Sequence, residues 1–185
     1  MTTLTERIVA LHRHLTAAEL PHAFGGALAL AFCTQEPRAT KDIDLNVFVR
    51  PTRIDLVTDA LPSAVTVTDE DERRLRRDGQ SRLWWGDTPV DLFLSNHPFH
   101  DHAAANRRAV PFAGVDDLPV LACADLAVFK CFFARPKDAV DVTTMVQAGS
   151  VDLTELEQAV TALLGGPDDR SAFFARIRQD LGSSD

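Results

Sequence analysis

Two aspartates one residue apart, Asp42 and Asp44, lie in the run Asp-Ile-Asp-Leu-Asn-Val-Phe-Val, whose β-branched and aromatic content predicts a strand. Side chains alternate along a strand, so both carboxylates face one way while Ile43 and Leu45 turn into a core. Such a pair repels itself unless something cationic holds it, and an oxygen-rich anionic site suits Mg²⁺. An Asp-x-Asp by itself also occurs on many solvated edges, so neighbours decide its meaning. Asp91 is one: it interrupts an apolar strand in which Val90, Leu92 and Leu94 alternate with it, and an isolated buried carboxylate is costly. Three carboxylates on adjacent strands can clamp two Mg²⁺ ions, one activating an acceptor hydroxyl and the other neutralising a triphosphate. Gly25-Gly26 alone reads as a turn. Beside the carboxylates, its bare backbone can approach phosphate oxygens, with the start of the next helix adding its dipole.

Positioning these residues falls to elements with readable signatures. Leu4, Ile8, Leu11, Leu15 and Ala18 recur at helical spacing, and Thr3 with Glu6 fits a capping box at the start of that helix. The Ala/Leu run 27–32 reads as a buried helix. Residues 51–61 predict a helix, 64–67 a short strand and 69–77 a charged helix. Residues 82–85 and 89–94 predict a hairpin around Gly86-Asp87-Thr88. From Asp101 onward helices dominate, over 121–134, 136–147, 153–164 and 171–181, with Pro136 suited to a first turn. The expected fold class is α/β (α+β), a small mixed β-sheet flanked by helices with a helical C-terminal part. Residues 1–95 form the expected α/β core, and 96–185 a helical part sharing the same core.

Composition sets the outer limits. A chain of 185 residues, 45% hydrophobic and 25% charged, has the balance of a soluble globular protein. No run reaches the roughly 18 apolar residues of a membrane helix and no secretory signal is visible, so a cytoplasmic protein is expected. A net charge of -8 repels nucleic acid as a whole and asks any RNA-binding face to be local. Arg73, Arg74, Arg76, Arg77 and Arg82 offer one, unless Asp69, Glu70, Asp71 and Glu72 pair them on a solvated helix. Cys33, Cys123 and Cys131, odd in number and without a CxxC, read as inert core thiols rather than a disulfide or zinc framework. His97, His100 and His102 read as a solvated loop. Trp84 or Trp85 could stack a base, though alternation predicts that one packs in the core.

In chain order, Gly25-Gly26, Arg-x-Thr-x-Asp-Ile-Asp-Leu over 38–45, Val-Asp-Leu-Phe over 90–93, Lys130 and Lys137-Asp138 resemble the motif series of the nucleotidyltransferase fold. Within it the chain resembles the toxin branch of AbiEii and MenT-type proteins. The resemblance implies transfer of a nucleoside monophosphate from an NTP such as ATP to an acceptor. That acceptor is by implication the 3′ end of tRNA, so that translation is blocked and a cognate antitoxin is required. It further implies that Asp42, Asp44 and Asp91 hold two Mg²⁺ ions, with Asp91 also helping to deprotonate the acceptor. Gly25 and Gly26 would cradle the triphosphate with Arg38, Thr40 and Lys41 close by. Lys130 would touch phosphate, and Lys137 and Asp138 would support the site. Ala27 departs from the pattern, since many members carry Ser or Thr there, and a phosphate-binding hydroxyl is missing. Thr40, two residues before Asp42, is a candidate for phosphorylation, which would add about -2 charge beside the triphosphate. Two other readings stay open: a small-molecule, aminoglycoside-type nucleotidyltransferase, and a catalytically dead nucleotide-binding module.

Overall fold

Thr3 caps the first helix reciprocally: its hydroxyl accepts from the Glu6 N–H, and the Glu6 carboxylate accepts from the Thr3 N–H at 2.7 Å. This is the capping box the sequence predicts. The structure is a computed structural model and describes residues 2–164 and 170–183. Its helices are α1 (Leu4–Ala17), α2 (Gly26–Thr34), α3 (Ile54–Ala60), α4 (Asp69–Asp78), α5 (Phe99–Asn106), α6 (Cys123–Phe133), α7 (Pro136–Gln147), α8 (Leu153–Leu164) and α9 (Ser171–Gly182). Its strands are β1 (His22–Phe24), β2 (Ile43–Val47), β3 (Val65–Thr66), β4 (Gln80–Trp85), β5 (Thr88–Leu94), β6 (Arg108–Phe112) and β7 (Val115–Val120).

Among the described residues the strands form one sheet in the order β3-β4-β5-β2-β1-β7-β6. β2 pairs parallel with β5 and antiparallel with β1, and β4 pairs antiparallel with β5. The sheet is mixed, as expected. β5 shows why it holds together: Thr88, Val90, Leu92 and Leu94 are buried, while Pro89, Asp91 and Phe93 on the other face are half-buried.

The chain divides into two compact units, one of Met1–Leu28 with Ala39–Leu121 and one of Ala29–Arg38 with Ala122–Asp185. The first carries the whole sheet. In the second, α6 packs against α7 and α8, and α7 against α9. There the Arg170 guanidinium donates to the carbonyls of Cys131 and Phe132 at 3.1 and 2.9 Å, a cation at the end of α6 where the helix dipole favours one.

Three expectations need correction. Residues 108–120 form the antiparallel hairpin β6–β7, and β7 also pairs with β1 at Phe24↔Val120. Pro111 and Pro119 hide these strands in the sequence, since proline suits only edges and irregular positions of a sheet. The histidine segment is not a solvated loop: His100 is buried on α5, and His102 on the same helix stacks on Phe99 with centroids 5.6 Å apart. Cys33 and Cys123 are not free thiols but a disulfide, with Cα atoms 5.6 Å apart, and only Cys131 is a free, buried thiol. The two partners are separated by 90 residues, a distance at which spacing in the sequence carries no pairing signal. Among the described residues no helix is long and apolar enough to cross a membrane.

Candidate active site

Asp44 on β2 stands directly opposite Asp91 on β5. Neighbouring strands lie about 4.8 Å apart, so the register alone makes the two carboxylates close neighbours on one face. Ile43 and Leu45 point the other way and are 2% and 0% exposed. Asp42 immediately precedes the strand, where Thr40 anchors it. The Thr40 hydroxyl donates to Asp42 Oδ1 at 2.7 Å, and the Asp42 N–H donates back to Thr40 Oγ1 at 3.3 Å.

The glycines bring the start of α2 onto Asp44. The Gly25 N–H donates to the Asp44 carbonyl at 2.9 Å. Gly26 has φ +50, and a Cβ there would sit 1.8 Å from Asp44 Oδ2. Only a residue without a side chain fits, on both conformational and steric grounds.

Arg82 completes this group, and the sequence had placed it elsewhere. Arg73, Arg74, Arg76 and Arg77 pair with Glu70, Glu72 and Asp78 on or beside α4, the solvated helix anticipated as one of two readings. Arg82 instead lies on β4 opposite Asp91. It donates through Nε to Asp91 Oδ1 and through Nη2 to Oδ2, both at 2.7 Å. Its Nη2 lies 3.8 Å from Asp42 Oδ2. The hydrogen bond to Asp91, followed by the charges of Asp91, Asp42 and Asp44, raises the pKa of the guanidinium above its ordinary value, against the pull of burial. The connection expected at Gly86-Asp87-Thr88 is a two-residue turn, with Thr88 already paired to Trp85, and this shorter turn sets Arg82 against Asp91. Trp84, two residues on, is 46% exposed, and Trp85 is half-buried.

The second unit gathers Arg38, Lys130 and Asp138 around a residue the sequence reading overlooked, Asp141. Lys130 Nζ donates to Asp141 Oδ2 at 2.6 Å and lies 3.6 Å from Asp138 Oδ1. The Arg38 guanidinium pairs with Asp141 Oδ1, and Arg135 Nε donates to Asp138 Oδ2 at 2.6 Å. Lys130, Asp138 and Asp141 are 8%, 0% and 5% exposed, so Lys130 does not snorkel to solvent. The missed signal is the one-turn spacing of Asp138 and Asp141, which puts both carboxylates on the buried side of α7. Lys41 and Lys137 are exposed.

The carboxylate oxygens of Asp42, Asp44 and Asp91 are the donor type that hard divalent cations take. Among the described residues no three His, Cys, Asp or Glu side chains are arranged, as they stand, to hold a metal ion. Both Asp91 oxygens are engaged by Arg82. The donor set thus fits a magnesium ion in its chemistry, with Asp91 paired to Arg82 as the residues stand.

A family model described as nucleotidyl transferase AbiEii toxin, type IV TA system, matches residues 10–103, just over half of the chain. No curated protein matches. The solution structure of the antibiotic-resistance factor ANT(2'')-Ia is similar with a TM-score of 0.59 at 16% identity, over 97% of this chain and 100% of that one. The crystal structure of ANT(2'')-Ia in complex with adenylyl-2''-tobramycin gives 0.58 at 15% identity, over 94% and 95%. An antigenic nucleotidyltransferase-like protein from Paracoccidioides brasiliensis gives 0.48 at 16% identity, over 95% and 94%. At these identities the likeness concerns the fold.

Proposed function

We propose, because this chain belongs to the AbiEii nucleotidyl transferase toxin family, that it moves a nucleoside monophosphate from an NTP to the 3′ end of tRNA with Asp42, Asp44 and Asp91 as its reacting centre. A nucleotidyltransferase from a toxin–antitoxin family has an NTP substrate and a cognate antitoxin. The tRNA acceptor, the use of Mg²⁺ and the residue roles are our reading.

The observation that carries it is the register Asp44↔Asp91 beside a glycine pair so tight that a side chain at Gly26 would overlap Asp44. Asp42, Asp44 and Asp91 would hold Mg²⁺, which supplies charge neutralisation of the triphosphate and lowers the pKa of the acceptor hydroxyl. The chain's own residues do the rest. The N–H groups at the start of α2 orient phosphate oxygens. Thr40 fixes Asp42 in place. Asp91 takes the hydroxyl proton while the acceptor oxygen bonds to the α-phosphorus. The bond from the α-phosphorus to the bridging oxygen breaks, and pyrophosphate leaves with the electron pair. Positioning and charge neutralisation carry most of the rate in such transfers. We assign Lys41 to supporting the nucleotide, whereas Arg38, Lys130 and Asp138 are engaged in the ion cluster of the second unit.

The fold shared with ANT(2'')-Ia, whose complex contains adenylyl-2''-tobramycin, makes a small polycation the competing acceptor. Incubation of the wild type and Asp44→Asn with each α-labelled NTP, and with either total tRNA or an aminoglycoside, decides between them. Label on tRNA that disappears in Asp44→Asn is the expected result. Label on the drug alone would transfer the reading to the small-molecule acceptor. NTP binding with no product on either acceptor would leave a non-catalytic nucleotide-binding module.

A further inference from the structure

One guanidinium reaches two of the same three carboxylates. Arg82 spends both of its forked donors on Asp91, and the same Nη2 approaches Asp42, while Asp44 stands beside Asp91 across the strand pair. A bidentate guanidinium–carboxylate pair is among the stronger and more directional ion pairs. It is also incompatible with what the proposed chemistry asks of Asp91. Guanidinium carries only donors, so both Asp91 oxygens are occupied for as long as the fork stays in place. A divalent cation shared by Asp91 needs the oxygens that Arg82 occupies. Arg82 can nevertheless leave without stranding a charge, because its side chain is 51% exposed against 21% for Asp91.

We propose that Arg82 is a positioning residue that serves as the carboxylate cluster's own exchangeable cation, holding Asp91 and Asp42 together against their repulsion and yielding Asp91 when metal and nucleotide load. The inference rests on the reading of Asp42, Asp44 and Asp91 as metal-holding groups. It differs from a purely orienting role in the sign of its effect on metal affinity. If Arg82 competes, its removal tightens metal binding, since there is no guanidinium to displace from the two Asp91 oxygens. If Arg82 merely orients Asp91, its removal loosens binding.

The experiment is a Mn²⁺ titration, followed by the electron paramagnetic resonance of the free ion, on full-length protein stripped with chelator. The wild type, Arg82→Gln, Arg82→Lys and Asp44→Asn are compared without nucleotide. Arg82→Gln is expected to bind Mn²⁺ about three- to tenfold more tightly than wild type, the range for losing a partly exposed to well-formed ion pair. Arg82→Lys, which keeps the charge but not the fork, falls between the two. As a second readout, Mn²⁺ raises the melting temperature of Arg82→Gln by more than it raises that of the wild type. Equal or weaker binding by Arg82→Gln, with binding still lost in Asp44→Asn, overturns the exchange and leaves the metal reading intact. Should Arg82→Gln fail to fold, wild-type-like or weaker binding by Arg82→Lys overturns it equally. Absence of binding in wild type and both Arg82 variants, or wild-type binding by Asp44→Asn, removes the metal reading itself and this inference with it.

Discussion

Gly26 and Asp44 share space that admits one side chain between them. A methyl group at position 26 would arrive 1.8 Å from Asp44 Oδ2 and 2.4 Å from its Cγ, so Gly26→Ala displaces the carboxylate by about an ångström or more. Misplacement on that scale costs about 10²-fold in rate, and the left-handed backbone adds roughly 1–2 kcal/mol of strain. The expected outcome is a folded variant, a few degrees less stable by thermal melting, whose labelled transfer falls about 100-fold. A variant with undiminished transfer would show that Asp44 has no fixed place in the reaction. Lys130 poses the opposite problem, a buried cation shared by two buried anions. Removing one partner of a buried pair costs about 3–5 kcal/mol. Lys130→Met should therefore lower the urea-unfolding free energy by about 3 kcal/mol, the lower end because Arg38 and Arg135 still face Asp141 and Asp138. Adding Asp141→Asn should recover part of the loss, and strict additivity of the two changes would deny their coupling.

At the scale of elements, α1 meets β1 through two buried histidines whose protons are assigned by their partners. His22 Nδ1–H donates to the Leu20 carbonyl at 2.8 Å, which leaves Nε2 to accept from His12 Nδ1–H at 3.1 Å. Burial pushes the His22 pKa down to about 4 from its ordinary 6.5, and burial lowers that of His12 as well. Between those two pH values the unfolded chain binds a proton that folded His22 refuses. Stability is therefore complete above about pH 6.5 and falls as the pH drops toward about 4, by up to about 3 kcal/mol. Chemical denaturation at about pH 7 and about pH 4.5 should show that loss, and His22→Gln should flatten it. The same junction shows what the sequence made legible. Apolar spacing and the Thr3–Glu6 cap gave α1, and alternation around Asp42, Asp44 and Asp91 gave the two strands that bear them, because these are local patterns. The hairpin β6–β7 was hidden because its prolines mimic loop chemistry. The pairings His12–His22, Lys130–Asp141 and Cys33–Cys123 were hidden because tertiary packing, and no local periodicity, joins their members. Arg82 was the intermediate case, grouped by neighbourhood with α4, because the connection read as Gly86-Asp87-Thr88 is a two-residue turn that moves Arg82 one place onto Asp91.

For the whole molecule the governing quantity is charge. The net charge is -8, and the arginines of α4 that might have formed a basic face are consumed by Glu70, Glu72 and Asp78. A tRNA approaching this surface meets repulsion over a screening length of about 8–10 Å at ordinary salt, whereas a polycationic aminoglycoside is drawn in. The two acceptor classes therefore predict salt effects of opposite sign. At fixed free Mg²⁺, raising KCl from about 0.02 to about 0.15 M, across which the screening length contracts severalfold, should lower the KM for tRNA. A polycationic drug should show the reverse. RNA-binding proteins that neutralise phosphates with a basic groove lose affinity steeply over the same range. A KM for tRNA that climbs with salt would thus require either a basic surface built from residues other than the α4 arginines or the release of those arginines from Glu70, Glu72 and Asp78, and would overturn the reading of the charge as repulsive to RNA.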